Sequence, residues 1–116
     1  MSQPSIGARK DDAGKLRYDL IPPEALAEIA RVYTAGSVIY EDRNWEKGTS
    51  WGRYFAAMMR HAWAWWAGGS RHDGGMHHLA SVAWYCLALM HYEARQIGTD
   101  DRPGHGTQPK AEAQNA

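Results

Sequence analysis

The chain is predicted to be all-α, a small helical unit that forms a bundle by homodimerisation. Three observations predict this. Apolar residues recur at intervals of three and four over three long segments. No run shows the Val/Ile/Thr-rich alternation of a strand. The second and third segments are also apolar around most of their circumference, which three helices alone would leave in water.

Residues 1–12 are polar and without periodicity, and are read as a mobile arm. GKLRYDLIPP (Gly14 to Pro23) mixes cations with Tyr18, Leu20 and Ile21, so an ordered loop lying on the domain is expected. Pro22 and Pro23 then open the first helix, where a missing N–H costs nothing. It is predicted to run from Pro23 to Tyr40, with Leu26, Ile29, Val32 and Tyr33 inward. Gly36 weakens its last turns or marks a close helix contact. EDRNWEKGTS is a polar connector whose Ser50 suits an N-cap. The second helix is predicted over Trp51–Ala67. Trp51, Tyr54, Phe55, Met58, Ala62, Trp65 and Trp66 form its stripe. GGSRHDGG breaks the chain. The third helix is predicted over Met76–Ile97, with Leu79, Val82, Ala83, Cys86 and Met90 as its stripe. The folded domain therefore spans 13–97. Residues 98–116 have almost nothing to bury and read as a disordered tail.

Composition bounds the function. The chain of 116 residues carries 13 Lys and Arg against 13 Asp and Glu. That balance gives no basic field for duplex nucleic acid. No secretion signal or apolar run long enough to span a membrane is present. The single cysteine, Cys86, excludes an internal disulfide framework and suits a reducing cytoplasm. It lies in an apolar stripe, so covalent catalysis through it is not expected. No phosphate-cradling glycine loop, zinc-spaced cysteine set or nucleophile elbow occurs.

Several residue sets could carry chemistry. Glu24 and Glu28 lie one turn apart on the first helix and could hold a divalent cation. The same pair could form a solvated face, with Glu28 bound to Arg31. Asp73, His77 and His78 flank a glycine turn, and Asp with His suits Mn, Fe or Zn. Asp73 could equally cap the third helix. His61 sits at the margin of the second helix's stripe, as a ligand or as a hydrogen-bonded core group. Together with His72-Asp73 it resembles the HD phosphohydrolase pattern, although no distal Asp is evident. His72 by itself is expected in solvent. Lys15, Arg17, Lys47 and Arg60 are candidate phosphate binders, alongside Arg43 and Arg53. Asn44 and Trp45 offer an amide for a base edge and an indole for stacking. Trp45 could equally plug the end of the bundle.

Four motifs in order, GKLRYDLIPPEAL, RNWEKG, RHAWAWWAGG and HHLASVAWYCLALMHYE, resemble the phage dATP/dGTP diphosphohydrolase family. That family is grouped with the MazG-like all-α nucleotide pyrophosphohydrolases. The resemblance covers residues from Lys10 to Arg95. It implies a metal-dependent enzyme that splits a purine nucleoside triphosphate, dGTP or GTP, into the monophosphate and pyrophosphate. It implies Mg2+ or Mn2+, two or three ions per site, and a homodimer or homotetramer. It also implies a phage protein acting in the cytoplasm of an infected cell, where dGMP would feed 2-aminoadenine nucleotide synthesis. The E-x-x-E and E-x-x-D signatures of MazG enzymes are absent. RHAW and HLAS stand in their places, and Ser81 stands where many relatives have a second histidine. The ligands available here are Glu24, Glu28, Asp73 and His78, with His61 and His77 in reserve. Lys15, Arg17, Lys47 and Arg60 would hold phosphates, and Asn44, Trp45 and Ile21 would frame the base. The alternatives are an HD-type phosphohydrolase and a non-enzymatic nucleotide-binding or adaptor dimer.

Overall fold

The computed structural model describes residues 7–105, with the side chain of Asp73 outside the description. Three helices make up the domain: α1 (Pro23–Ile39), α2 (Trp51–Trp66) and α3 (His78–Arg95). Single 3-10 turns lie at Tyr18–Leu20, Asn44–Lys47 and Asp73–Gly75. No named strand occurs among the described residues, and the fold is all-α as predicted. None of these helices is long and apolar enough to cross a membrane.

The helix boundaries follow local chemistry. Pro22 caps α1 and Pro23 occupies its first turn, where proline's fixed φ is already helical. Extended backbone at Tyr40 ends it. Gly36 does not mark a close contact, since an added Cβ would meet nothing within 4 Å. α3 begins two residues later than predicted. His77, not Asp73, is its N-cap, and the His77 Nδ1 accepts the Leu79 N–H at 3.0 Å. Gln96 in the left-handed region stops the helix.

α3 is the central element, packing against α1, α2 and the Asn44–Lys47 turn. Its buried face is Ala80, Ser81, Ala88 and Tyr92. The predicted stripe was rotated from this, for Leu79 and Met90 are exposed. Small residues at 80, 81 and 88 suit a helix face packed closely against its neighbours, which hydropathy alone does not reveal. On α2, Trp51 is buried, while Phe55, Trp63, Trp65 and Trp66 are exposed. Trp65 and Trp66 were expected in the core; among the described residues no further layer covers them. A web of tilted, edge-on and stacked rings joins Tyr33, Trp45, Tyr54, Trp84 and Tyr92, with centroids 5.5–6.1 Å apart.

The GKLRYDLIPP segment does not lie on the domain. Leu16, Tyr18 and Leu20 are each about seven-tenths exposed, and Ile21 is 46% exposed. At the other end, the assignment of residues from 98 onward to a disordered tail is corrected. The Thr99 carbonyl accepts the Trp51 N–H at 2.9 Å, and the Trp51 indole donates to the Ile97 carbonyl at 2.8 Å. Asp101 accepts the Gly52 N–H at 2.7 Å. This carboxylate caps α2 and favours its dipole, whereas the Ser50 side chain makes no capping bond. Residues 106–116 of the predicted tail and 1–6 of the predicted arm lie outside the described residues.

Asp100 is buried and bound by the Arg102 guanidinium at 2.7 and 2.8 Å. That cation also lies over the Trp51 ring, 5.2 Å from its centroid. The Arg102 hydrogen bonds hold the Asp100 carboxyl below its ordinary range. A carboxyl depressed in the native state contributes stability above its unfolded pKa and loses it as pH falls through the native value. Thermal melts should therefore show Asp100→Asn costing most near neutrality. The gap to wild type should close below about pH 4. A gap constant across pH would refute this ion pair.

Candidate functional site

The sequence stretch Gly68–His77 folds back on itself. His78 N donates to the Ser70 carbonyl at 2.8 Å, and His72 N to the Met76 carbonyl at 2.9 Å. Glycines 68, 74 and 75 hold positive φ at the two turns, which side chains resist. The fold-back lifts His72 over the start of α3 and toward α2.

Three histidines meet there. His61 comes from α2, His72 from the fold-back loop and His78 from the first turn of α3. One ring nitrogen from each lies within 4.8 Å of the others. The Nδ1 atoms of His61 and His78 are 2.9 Å apart, so one donates a hydrogen that the other accepts. His72 Nε2 is hydrogen-bonded to the buried Ser81 hydroxyl at 2.9 Å. Ring centroids are 4.7 Å apart for His61 and His72, and 5.0 Å for His72 and His78. Burial, followed by the neighbouring His72, His78 and Arg60, holds the His61 pKa below its ordinary value. His61 is thus a neutral imidazole with a lone pair to offer at neutral pH.

His61 and His72 of the cluster line an open groove of about 750 Å³. Ser81 lines it as well, and the mutually packed rings of Tyr33, Trp45 and Trp84 contribute an aromatic wall. Asn44 also lines it, with Glu41, Asp42 and Glu46 from the same connector. Such a volume lies within the roughly 300–1,000 Å³ of small-ligand pockets.

The sequence-predicted residues divide. His61 and His78 come together as candidate ligands. His77 is occupied as a helix cap and stands outside the trio. Glu24 is exposed in the first turn of α1. Glu28 is forked by Arg71 at 3.0 and 3.2 Å, with Arg31 more distant at 4.0 Å. The Arg71 hydrogen bonds hold the Glu28 carboxyl below its ordinary range. No carboxylate joins the histidine cluster among the described residues, and the Asp73 side chain lies outside them.

Of the predicted phosphate binders, Arg60 acts on His61 and Tyr85 and is the one beside the cluster. Arg17 is paired with Asp19, and Lys47 with Glu41. Lys15 and Ile21 sit on the exposed amino-terminal segment, away from the groove within one chain. Asn44 and Trp45 do line the groove. Trp45 is also the predicted plug, for its ring meets Tyr33, Trp84 and His91 and its carbonyl accepts the Tyr92 hydroxyl. His72, Ser81 and Arg71 were missed as site residues. The glycine pairs flanking SRHD carried the signal, since two tight turns must return the residues between them to the helix.

A family pattern described as "dATP/dGTP diphosphohydrolase, N-terminal" matches residues 5–102. The chain belongs to the dATP/dGTP diphosphohydrolase family. Comparison with curated proteins and with solved structures finds no match. The family match extends through the Thr99–Arg102 segment that caps α2 and ends there. Membership marks the chain as a hydrolase of the diphosphohydrolase class.

Proposed function

We propose that the groove binds a purine nucleoside triphosphate, dGTP or GTP, and that its α–β anhydride is hydrolysed to the monophosphate and pyrophosphate. The observation that carries this reading is the groove itself: a nucleotide-sized, aromatic-walled cleft lined by two imidazoles of the histidine cluster. Family membership supports the reaction class. The purine would lie along the Tyr33–Trp84 wall, with the Asn44 amide at a base edge. The triphosphate would run toward His61, His72 and Arg60, where the guanidinium offsets its charge. The neutral His61 imidazole there can accept a proton from attacking water. The guanine preference, and a resemblance closest to MazZ, the (d)GTP enzyme of 2-aminoadenine phages, rest on the four motifs quoted above. On that reading the product dGMP supplies 2-aminoadenine nucleotide synthesis in an infected cell's cytoplasm.

Mg2+ or Mn2+, in two or three ions, is the cofactor that the resemblance implies. The gathered side chains of one chain do not fit a magnesium cage. Hard cations need oxygen donors, the cluster supplies only nitrogen among the described residues, and Glu28 is held by Arg71. We therefore assign Mg2+ to the substrate, as the Mg–triphosphate complex, and derive no step through a resident ion.

Exposed Phe55, Trp63 and Trp66 support a homodimer that buries the outer face of α2, with a homotetramer as a dimer of dimers. No duplex nucleic acid or membrane partner is proposed. Phosphorus NMR of dGTP incubated with the protein and Mg2+ or Mn2+ should show pyrophosphate and dGMP. Sedimentation of the same sample should give at least a dimer. Release of tripolyphosphate would move the chain to the HD-type reaction, which the proximity of His61 and His72 favours as the second reading. Survival of every purine triphosphate would sink the proposal.

A further inference from the structure

We propose that His61, His72 and His78 form a binding site for one divalent cation of the zinc class, separate from any Mg2+ carried by a nucleotide. The three residues come from different elements, yet a nitrogen of each falls within 4.8 Å of the other two. Tetrahedral zinc with nitrogen ligands at about 2.0–2.1 Å sets those nitrogens roughly 3.4 Å apart. The 2.9 Å separation of the His61 and His78 Nδ1 atoms is already close to that spacing.

The chemistry of the donors selects the ion. Three imidazoles, with no carboxylate beside them among the described residues, favour Zn2+, and to a lesser degree Co2+ or Ni2+, over Mg2+ and Ca2+. Binding through both Nδ1 atoms requires the hydrogen between them to move to Nε2 of its own ring. This tautomer exchange leaves both imidazoles neutral and needs no further reactant. The Ser81 hydroxyl is a positioning group, since it meets His72 at 2.9 Å from a buried site on α3. Orienting partners of this kind are general behind ligating histidines. Three protein ligands also leave a position for an oxygen from the groove, as in zinc sites that act on substrates.

The test needs no nucleotide, so its outcome is independent of the proposed hydrolysis. Full-length protein is dialysed against Zn2+ in excess Mg2+ and its metal content measured. Co2+ is then titrated in and followed by visible absorption. The expected result is one Zn2+ per chain and an intense four-coordinate Co2+ spectrum. His61→Asn, His72→Asn and His78→Asn should each weaken binding by about 100-fold or more, exceeding the roughly 10–100-fold typical of outer partners. Ser81→Ala should weaken it by about 10-fold, at the low end of that range. His105→Asn, outside the trio, should leave it unchanged. Circular dichroism checks that each variant is folded; where a single variant is not, Ser81→Ala and His72→Gln carry the test. Failure of wild type to take up Zn2+ overturns the proposal. So does uptake that the His61, His72 and His78 variants share equally.

Discussion

Replacing Gly98 with alanine should destabilise the domain by on the order of 3 kcal/mol or more, among the larger effects of a single substitution. Gly98 sits at φ +81°, where a Cβ would fall 2.2 Å from the Thr49 carbonyl oxygen and 3.2 Å from the Trp51 indole nitrogen. The obstructing carbonyl is backbone and belongs to the stretch that pairs Thr49 and Ser50 with Thr99. Relief would require that stretch to part, and with it the Trp51–Ile97 bond and the Asp101 cap on Gly52. Gly74 is the matched control. It has a similar φ of +83° but no neighbour within 4 Å, so its alanine variant should lose only about 1–2 kcal/mol of left-handed strain. Urea denaturation of both separates backbone strain from collision. Equal losses would mean that the segment after α3 does not pack on α2.

Truncating Tyr92 to alanine should cost about 3–5 kcal/mol, as for other large aromatic side chains in cores. Tyr92 has no exposed surface, stacks on Tyr54 with centroids 5.5 Å apart, and donates its hydroxyl to the Trp45 carbonyl. Burial raises its pKa, so the phenol stays neutral and remains a donor. Tyr92→Phe keeps the ring and removes only the donor. It should cost about 1–3 kcal/mol, the usual loss when a buried acceptor is left unpaired. It should also loosen Trp45, and the tryptophan fluorescence should shift at temperatures below the melt. Because Trp45 lines the groove, the phenylalanine variant should weaken nucleotide binding more than its stability loss alone explains. If Tyr92→Phe melts with wild type, the hydroxyl does not tie the connector to α3.

The helices were legible because their causes are local. Pro22-Pro23 opens α1, glycine pairs separate α2 from α3, and intervals of three and four mark all three segments. The family was legible too, through motifs read in order along the chain. The facing of α3 was not. Hydropathy points to Leu79 and Met90, whereas close helix approach selects Ala80, Ser81 and Ala88. The role of residues 99–102 was hidden as well. Their value lies in an N–H, a carbonyl and a carboxylate that act only against α2, and composition does not encode that.

The site divides in the same way. His61 and His78 were candidates on residue type, and Glu28 on spacing, but spacing along one helix does not say what faces it. Arg71, 43 positions later, takes Glu28. His72 was read as solvent-facing and instead becomes the third imidazole, hydrogen-bonded to Ser81. The sequence by itself determined the all-α class, the helices to within a few residues, and the family. The tertiary structure alone decided which histidines meet, which carboxylate is already bound, and that Trp45 is both plug and groove wall. Helix formation depends on hydrogen bonds four residues apart. A site built from 61, 72 and 78 depends on a loop reversing direction and two helices crossing, and no local rule specifies that distance.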